Sequence, residues 1–103
     1  MLNISFEFRK GIFFIRFIGD LNKESSNKNT NLLDLINENK FKYVVINTNY
    51  IKNIDLSGLN YLTKIYYITK ESNCNLILCD KSKIIKELFN NNIPSIENEI
   101  EVL

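Results

Sequence analysis

At 103 residues, with 45% hydrophobic and 24% charged side chains, the chain has the size and composition of a single globular domain and is too short for two. Its 13 basic and 12 acidic residues nearly cancel, and neither sign forms a long run, which argues against a nucleic-acid or membrane-surface footprint. Histidine is absent, which removes Ser-His-Asp and Cys-His nucleophilic machinery and every His-ligated metal site.

Ile4, Phe6 and Phe8 alternate with polar neighbours, the period-2 pattern of a strand with one buried face. Lys10-Gly11 supplies a turn into a second strand, Ile12 to Ile18, and the two form an opening β-hairpin. Gly19-Asp20-Leu21-Asn22 is read as leaving the sheet, followed by a polar stretch to Asn31. Leu32, Leu33, Leu35 and Ile36 then make the apolar stripe of a helix ending near Asn39. Tyr43 to Ile46 has the continuous apolar character of a central strand covered on both faces, and Asn47 to Ile54 is read as a connector.

Leu59, Leu62, Ile65, Tyr66 and Ile68 predict a second helix reaching about Ser72. Leu76 to Cys79 is another buried strand, and Asp80 or Ser82 can cap a helix whose buried side is Ile84, Ile85, Leu88 and Phe89. The tail from Ile93 to Leu103 reads as a last strand and a short helical turn. The expected fold is one α/β domain over residues 1–103, with a mixed sheet of about four to five strands, helices mainly on one face, and the order β-β-α-β-α-β-α.

Cys74 and Cys79 lack the Cys-x-x-Cys spacing and fall beside or within a buried strand, so they read as buried free thiols. The longest apolar stretch, Gly11 to Gly19, is interrupted by Arg16 and is shorter than the roughly 20 residues a membrane span needs. A cytoplasmic protein without membrane insertion is expected. The abundance of Asn, Ile and Lys together with the absence of alanine is the imprint of an A+T-rich genome.

The segment Val44 to Leu59 runs from a buried strand through a loop into an amphipathic helix, with Asp55 and Ser57 at the helix start. Unpaired amides and the positive end of the helix dipole stabilise negative charge there, so a phosphate on Ser57 is tolerable. Gly58, lacking a Cβ, is read as leaving the hydroxyl open to a partner. An N-cap serine or aspartate alone is commonplace. The surrounding pattern is more specific: Val44 to Ile46, then Ile51, then Ile54-Asp55-Leu56-Ser57-Gly58-Leu59 resembles the signature of the STAS family. Lys10 to Asn22 is similar to the family's opening hairpin and exit loop, and Leu76 to Phe89 to its later strand and helix.

That resemblance implies an anti-sigma-factor antagonist acting by partner switching. The unphosphorylated form would bind an anti-sigma factor that is also a serine protein kinase, and phosphorylation of Ser57 would release it. Asp20, Leu21, Asn22, Asp55, Leu56, Gly58 and Leu59 would form the partner-binding site, with the phosphate repelled by Asp20 and Asp55. Leu56 stands where the family often has serine and is either a contact or a core residue, the core reading being the weightier. Asn22 stands where the family has an acidic residue.

The same fold also resembles subunits that dock on ABC-type lipid transporters, which need no phosphorylation switch. An enzyme would require a nucleophile with its base, a carboxylate pair or a phosphate loop. Asp20 and Asp55 at strand exits read as solvated loop residues, so catalytic groups, cofactors and metals are not expected. Tyr61, Tyr66 and Tyr67 have only Lys64 and Lys70 nearby, so they read as packing residues and not as a nucleic-acid stacking surface.

Overall fold

The computed structural model describes residues 1–89 and 93–103. Strands β1 (Leu2–Arg9) and β2 (Ile12–Leu21) form the expected antiparallel hairpin. Lys10 and Gly11, at φ 53° and 79°, are both left-handed, as a tight turn matching the strand twist requires. β2 pairs with more strands than any other described strand. Phe13, Ile15 and Phe17 project to one face, Phe14 and Arg16 to the other, so both sides must be covered.

β3 (Tyr43–Asn47) runs parallel to β2 over Ile12 to Arg16, and β4 (Ile51–Ile54) continues beside β2 over Gly19 to Leu21. β5 (Asn75–Cys79) and β6 (Ser95–Ile96) extend the sheet, giving the order β1-β2-β3-β5-β6 with β4 on β2. The sheet is therefore mixed, as expected, but has six strands. Gly19-Asp20-Leu21 does not leave it. Gly19, at φ 118°, carries β2 through a register shift where a Cβ would lie 2.2 Å from the Met1 carbonyl oxygen, and the strand resumes against β4.

Four helices, α1 (Lys23–Lys28), α2 (Asn31–Asn39), α3 (Leu56–Glu71) and α4 (Ile84–Phe89), complete the described elements with a 3-10 turn at Glu99–Val102. α1 lies in the stretch read as loop. Its signal is a capping box, in which the Asn22 side chain accepts from the Ser25 amide at 3.0 Å while Ser25 Oγ accepts from the Asn22 amide at 2.9 Å. α4 is started by both predicted caps: Asp80 Oδ2 accepts from the Ile85 and Lys86 amides at 2.9 and 3.0 Å, and Ser82 Oγ accepts from the Ile84 amide at 3.2 Å.

Leu32, Ile36, Leu62, Ile65 and Ile85 from α2, α3 and α4 pack on Phe13, Ile15, Phe17, Val44, Ile46, Leu76 and Leu78 to form the main core. Leu35, Ile84 and Leu88, expected on buried faces, are exposed, and the buried stripe of these helices is carried by Leu32, Ile36 and Ile85. Phe6 and Phe8 on the edge strand are also largely exposed, Phe6 stacking on Phe13 and Phe8 tilted against Phe41. Tyr61 is buried, Tyr66 packs partly on the core and Tyr67 is exposed.

The other face of the sheet holds a smaller core of Phe14, Val45 and Cys79, against which Ile96 and Val102 from the C-terminal segment pack. Arg16 fastens this strap: its Nε and one terminal nitrogen donate to the Glu99 carboxylate at 2.8 and 2.6 Å, and it also pairs with Glu7 at 2.6 Å. Asn47 Nδ2 adds a 2.6 Å bond to Glu99. The bond from Arg16, with that from Asn47, holds the Glu99 carboxyl below its ordinary value of 4.5 against the opposing effect of burial. A depressed folded pKa contributes stability that is fully present above the unfolded value and is lost as pH falls through the folded one. Glu99→Gln is therefore expected to lower stability by about 1–2 kcal/mol at neutral pH. In urea denaturation curves the gap from wild type should narrow as the pH falls below the ordinary value of 4.5 and close once it is below the folded one. A gap that persists in acid would show that the carboxylate is not what fastens the strap.

Candidate functional site

Three chain segments meet at the end of the sheet where β2 and β4 finish. Asp20 and Leu21 of β2 lie in register with Asn53 and Ile54 of β4, and the chain then turns into α3. Asp55 is the N-cap: its backbone is extended at φ −109°, ψ −174°, and its Oδ1 accepts from the Gly58 amide at 2.8 Å. The Asp55 amide donates to the Leu21 carbonyl at 3.3 Å, and the Leu59 amide closes the first helical turn on the Asp55 carbonyl at 3.0 Å. Of the two residues read at the helix start, Asp55 is the one that caps it.

Gly58 serves a different purpose from the one its sequence position suggests. A Cβ there would stand 2.1 Å from the Leu21 carbonyl oxygen, so the missing side chain lets the first turn of α3 lie directly on the β2 backbone. Leu21 and Gly58 are both buried and support the site from beneath. Leu56 corrects the core reading in the opposite sense: it is 72% exposed, projecting from the first turn of α3. Leu59 is partly buried.

Asp20 Oδ1 accepts from Asn53 Nδ2 at 2.8 Å, and that bond, with the N-terminal ammonium, holds its carboxyl below the usual carboxylate range. Asp20 and Asn22 line one surface cavity together with Glu24, Ser25, Lys28 and Asn29. Ser57, half-buried at the second position of α3, lines another, of about 220 Å³, between α1 and α3. The predicted residues are therefore gathered at one end of the sheet, with Asp20 and Ser57 opening into separate cavities.

The residues that share the Ser57 cleft escaped sequence reasoning. From α3 they are Asn60, Tyr61 and Lys64, which with Ser57 follow the spacing i, i+3, i+4, i+7; from α1 and its exit they are Lys23, Ser26, Asn27 and Thr30, with the same spacing. Two ammonium groups and no carboxylate line the cleft. The Tyr61 hydroxyl donates to the Asn29 carbonyl at 2.6 Å, tying α3 to the α1–α2 junction, and burial pushes its pKa up. The Ser26 hydroxyl is shielded from solvent and has no hydrogen-bond partner, a condition that costs about 1–3 kcal/mol. Among the described residues no group of three or more Cys, Asp or Glu side chains is placed to hold a metal ion, and no helix is long and apolar enough to cross a membrane.

A family model described as the STAS domain matches residues 3–94, a span that includes the β4–α3 segment and Ser57. The chain belongs to the STAS domain family. Its fold is shared with the anti-sigma factor antagonist SpoIIAA in its unphosphorylated form, at TM-score 0.78 and 13% identity over 99% of this chain and 93% of that one. An anti-sigma factor antagonist from Mycobacterium paratuberculosis gives 0.77 and 12%, over 98% and 90%. A sulfate transporter family protein from Wolinella succinogenes gives 0.64 and 18%, over 82% and 68%. In this STAS domain the contact of Gly58 with Leu21 sets the position of Ser57, so Gly58→Ala is expected to cost about 2–3 kcal/mol. The Tm should fall by roughly 10–20 °C. A Tm within a few degrees of wild type would show that the first turn of α3 moves freely on β2.

Proposed function

We propose that this STAS domain is an anti-sigma-factor antagonist that works by partner switching, with Ser57 as the phosphate acceptor. The observation that carries the reading is the placement of a half-buried serine at the second position of a 16-residue helix, beside an exposed leucine and above a glycine-enabled backbone contact. The amides of Leu56 and Ser57 have no intrahelical acceptor, and with the helix dipole they favour a phosphate at this point. The chain has no histidine, and its site offers no base adjacent to the serine, so the chemistry belongs to the partner. A serine kinase would transfer the γ-phosphoryl group of ATP to Ser57 Oγ; the O–P bond to ADP breaks as the new one forms, and the hydroxyl proton passes to the kinase's base.

Two of the solved structures that share the fold are of proteins described as anti-sigma factor antagonists, which supports the choice of partner class. Unphosphorylated, the surface formed by Leu56, Asp55, Asn22 and Asp20 binds an anti-sigma factor with kinase activity. Phosphorylation adds about −1.5 to −2 charges in the interface, and repulsion and desolvation release the partner. The protein acts in the cytoplasm as a binding module and not as an enzyme. A second reading, a docking subunit of a transporter without a phosphorylation switch, is favoured by the likeness to the sulfate transporter family protein.

The two readings separate when wild type, Ser57→Ala and Ser57→Asp are used as affinity baits in extract of the source cells supplied with labelled ATP. Partner switching predicts label on wild type but not on Ser57→Ala. It also predicts retention of an ATP-binding serine kinase by wild type and at least a tenfold loss on Ser57→Asp. Retention of transporter subunits by all three baits, without label, would contradict it. A second variant isolates the contact surface: Leu56→Ser should change stability by less than about 0.5 kcal/mol, as expected for an exposed site, while weakening partner binding about tenfold.

A further inference from the structure

The cleft between α1 and α3 is unlike the rest of the surface around Ser57. Its polar lining comes from two helical stripes, Ser57-Asn60-Lys64 and Lys23-Ser26-Asn27-Thr30, and the charged residues among the described lining are Lys23 and Lys64. One wall includes Ser26, a residue more than nine-tenths buried whose hydroxyl has no hydrogen-bond partner. A buried hydroxyl that finds no acceptor within the protein is a donor held ready for one from outside. Ser57, at the positive end of α3, belongs to the same lining.

Donors and cations without a carboxylate select an oxyanion. The volume, about 220 Å³, admits a tetrahedral phosphate and several waters at about 30 Å³ each. We infer that this cleft is an intramolecular phosphate cradle: the phosphate monoester formed on Ser57 folds into it and is held by Lys23, Lys64 and the Ser26 hydroxyl. Asp55 is the carboxylate nearest in sequence, and its Oδ1 is committed to the Gly58 amide.

The inference rests on Ser57 being the phosphate acceptor and adds how the modified state is stabilised. Phosphorylation then removes more than a free hydroxyl from the partner's reach. It also withdraws two lysine side chains from the surface and pins α1 to α3. The switch thereby acts through masking as well as through repulsion.

Phosphoserine inserted at position 57 during translation makes the test independent of any kinase. The second pKa of the phosphate, about 6 in a free phosphoserine, is read by 31P NMR titration. The cradle predicts a value lower by about 0.5–1 unit than in an unfolded peptide of the same sequence. Lys23→Gln combined with Lys64→Gln should restore the peptide value. Ser26→Ala should raise the pKa by a few tenths in the phosphorylated protein while leaving the Tm of the unphosphorylated protein unchanged or higher.

A phosphate that titrates as in the peptide, whether or not the lysines are present, would overturn the inference. So would the same result accompanied by saturable shifts of the Ser57, Asn60 and Lys64 amides when inorganic phosphate is added to unphosphorylated protein, since the cleft would then serve a free anion. Neither result touches the bait experiment. Loss of the kinase interaction there would in turn leave the titration readable.

Discussion

Backbone contact between the end of β2 and the first turn of α3 is the constraint on which the site depends. The Leu21 carbonyl accepts from the Asp55 amide and lies against Gly58 at a distance no side chain could tolerate. Because Leu21 is itself anchored in the main core, the start of α3 is registered to a strand that packs into that core. Ser57 and Leu56 follow directly from that placement: one turns toward α1, the other into solvent. The register shift between Gly19 and Asp20 is part of the same construction, since it sets Leu21 opposite Ile54, two residues before the first residue of α3.

The two faces of the sheet have different duties. The helical face carries most of the apolar burial and, at its edge, the cleft between α1 and α3. The opposite face is closed by the C-terminal segment, where a charged clamp of Arg16, Glu7 and Glu99 lies over Phe14 and Val45. Charge-assisted bonds fix the geometry of a strap that has only Ile96 and Val102 to bury.

Much of the fold was legible because its determinants are local. Continuous apolar runs marked β3 and β5, alternation marked the hairpin, and Asp80 and Ser82 marked the start of α4. What escaped depends on tertiary geometry. β4 reads Ile-Lys-Asn-Ile, too short and polar to announce a strand, and exists because β2 runs on past Gly19. α1 has only two buried residues, both serines, so apolar periodicity could not find it, although the pairing of Asn22 with Ser25 could have. In the site, the family pattern located Ser57 and Asp55 from sequence. The role of Gly58, the exposure of Leu56 and the lysines across the cleft required knowledge of which backbone lies beneath α3 and which helix lies beside it.

The family match and the fold make this chain a STAS domain, and the function proposed for it rests on one hydroxyl, that of Ser57. The most direct measurement is phosphopeptide mass spectrometry on the protein isolated from its own cells in growth and under stress. Trypsin releases Asn53–Lys64, in which Ser57 is the sole serine and Tyr61 and Thr63 are the competing hydroxyls. The account predicts phosphate localised to Ser57, with an occupancy that changes between conditions. A peptide that is unmodified in every condition, or modified only at Tyr61 or Thr63, would contradict it.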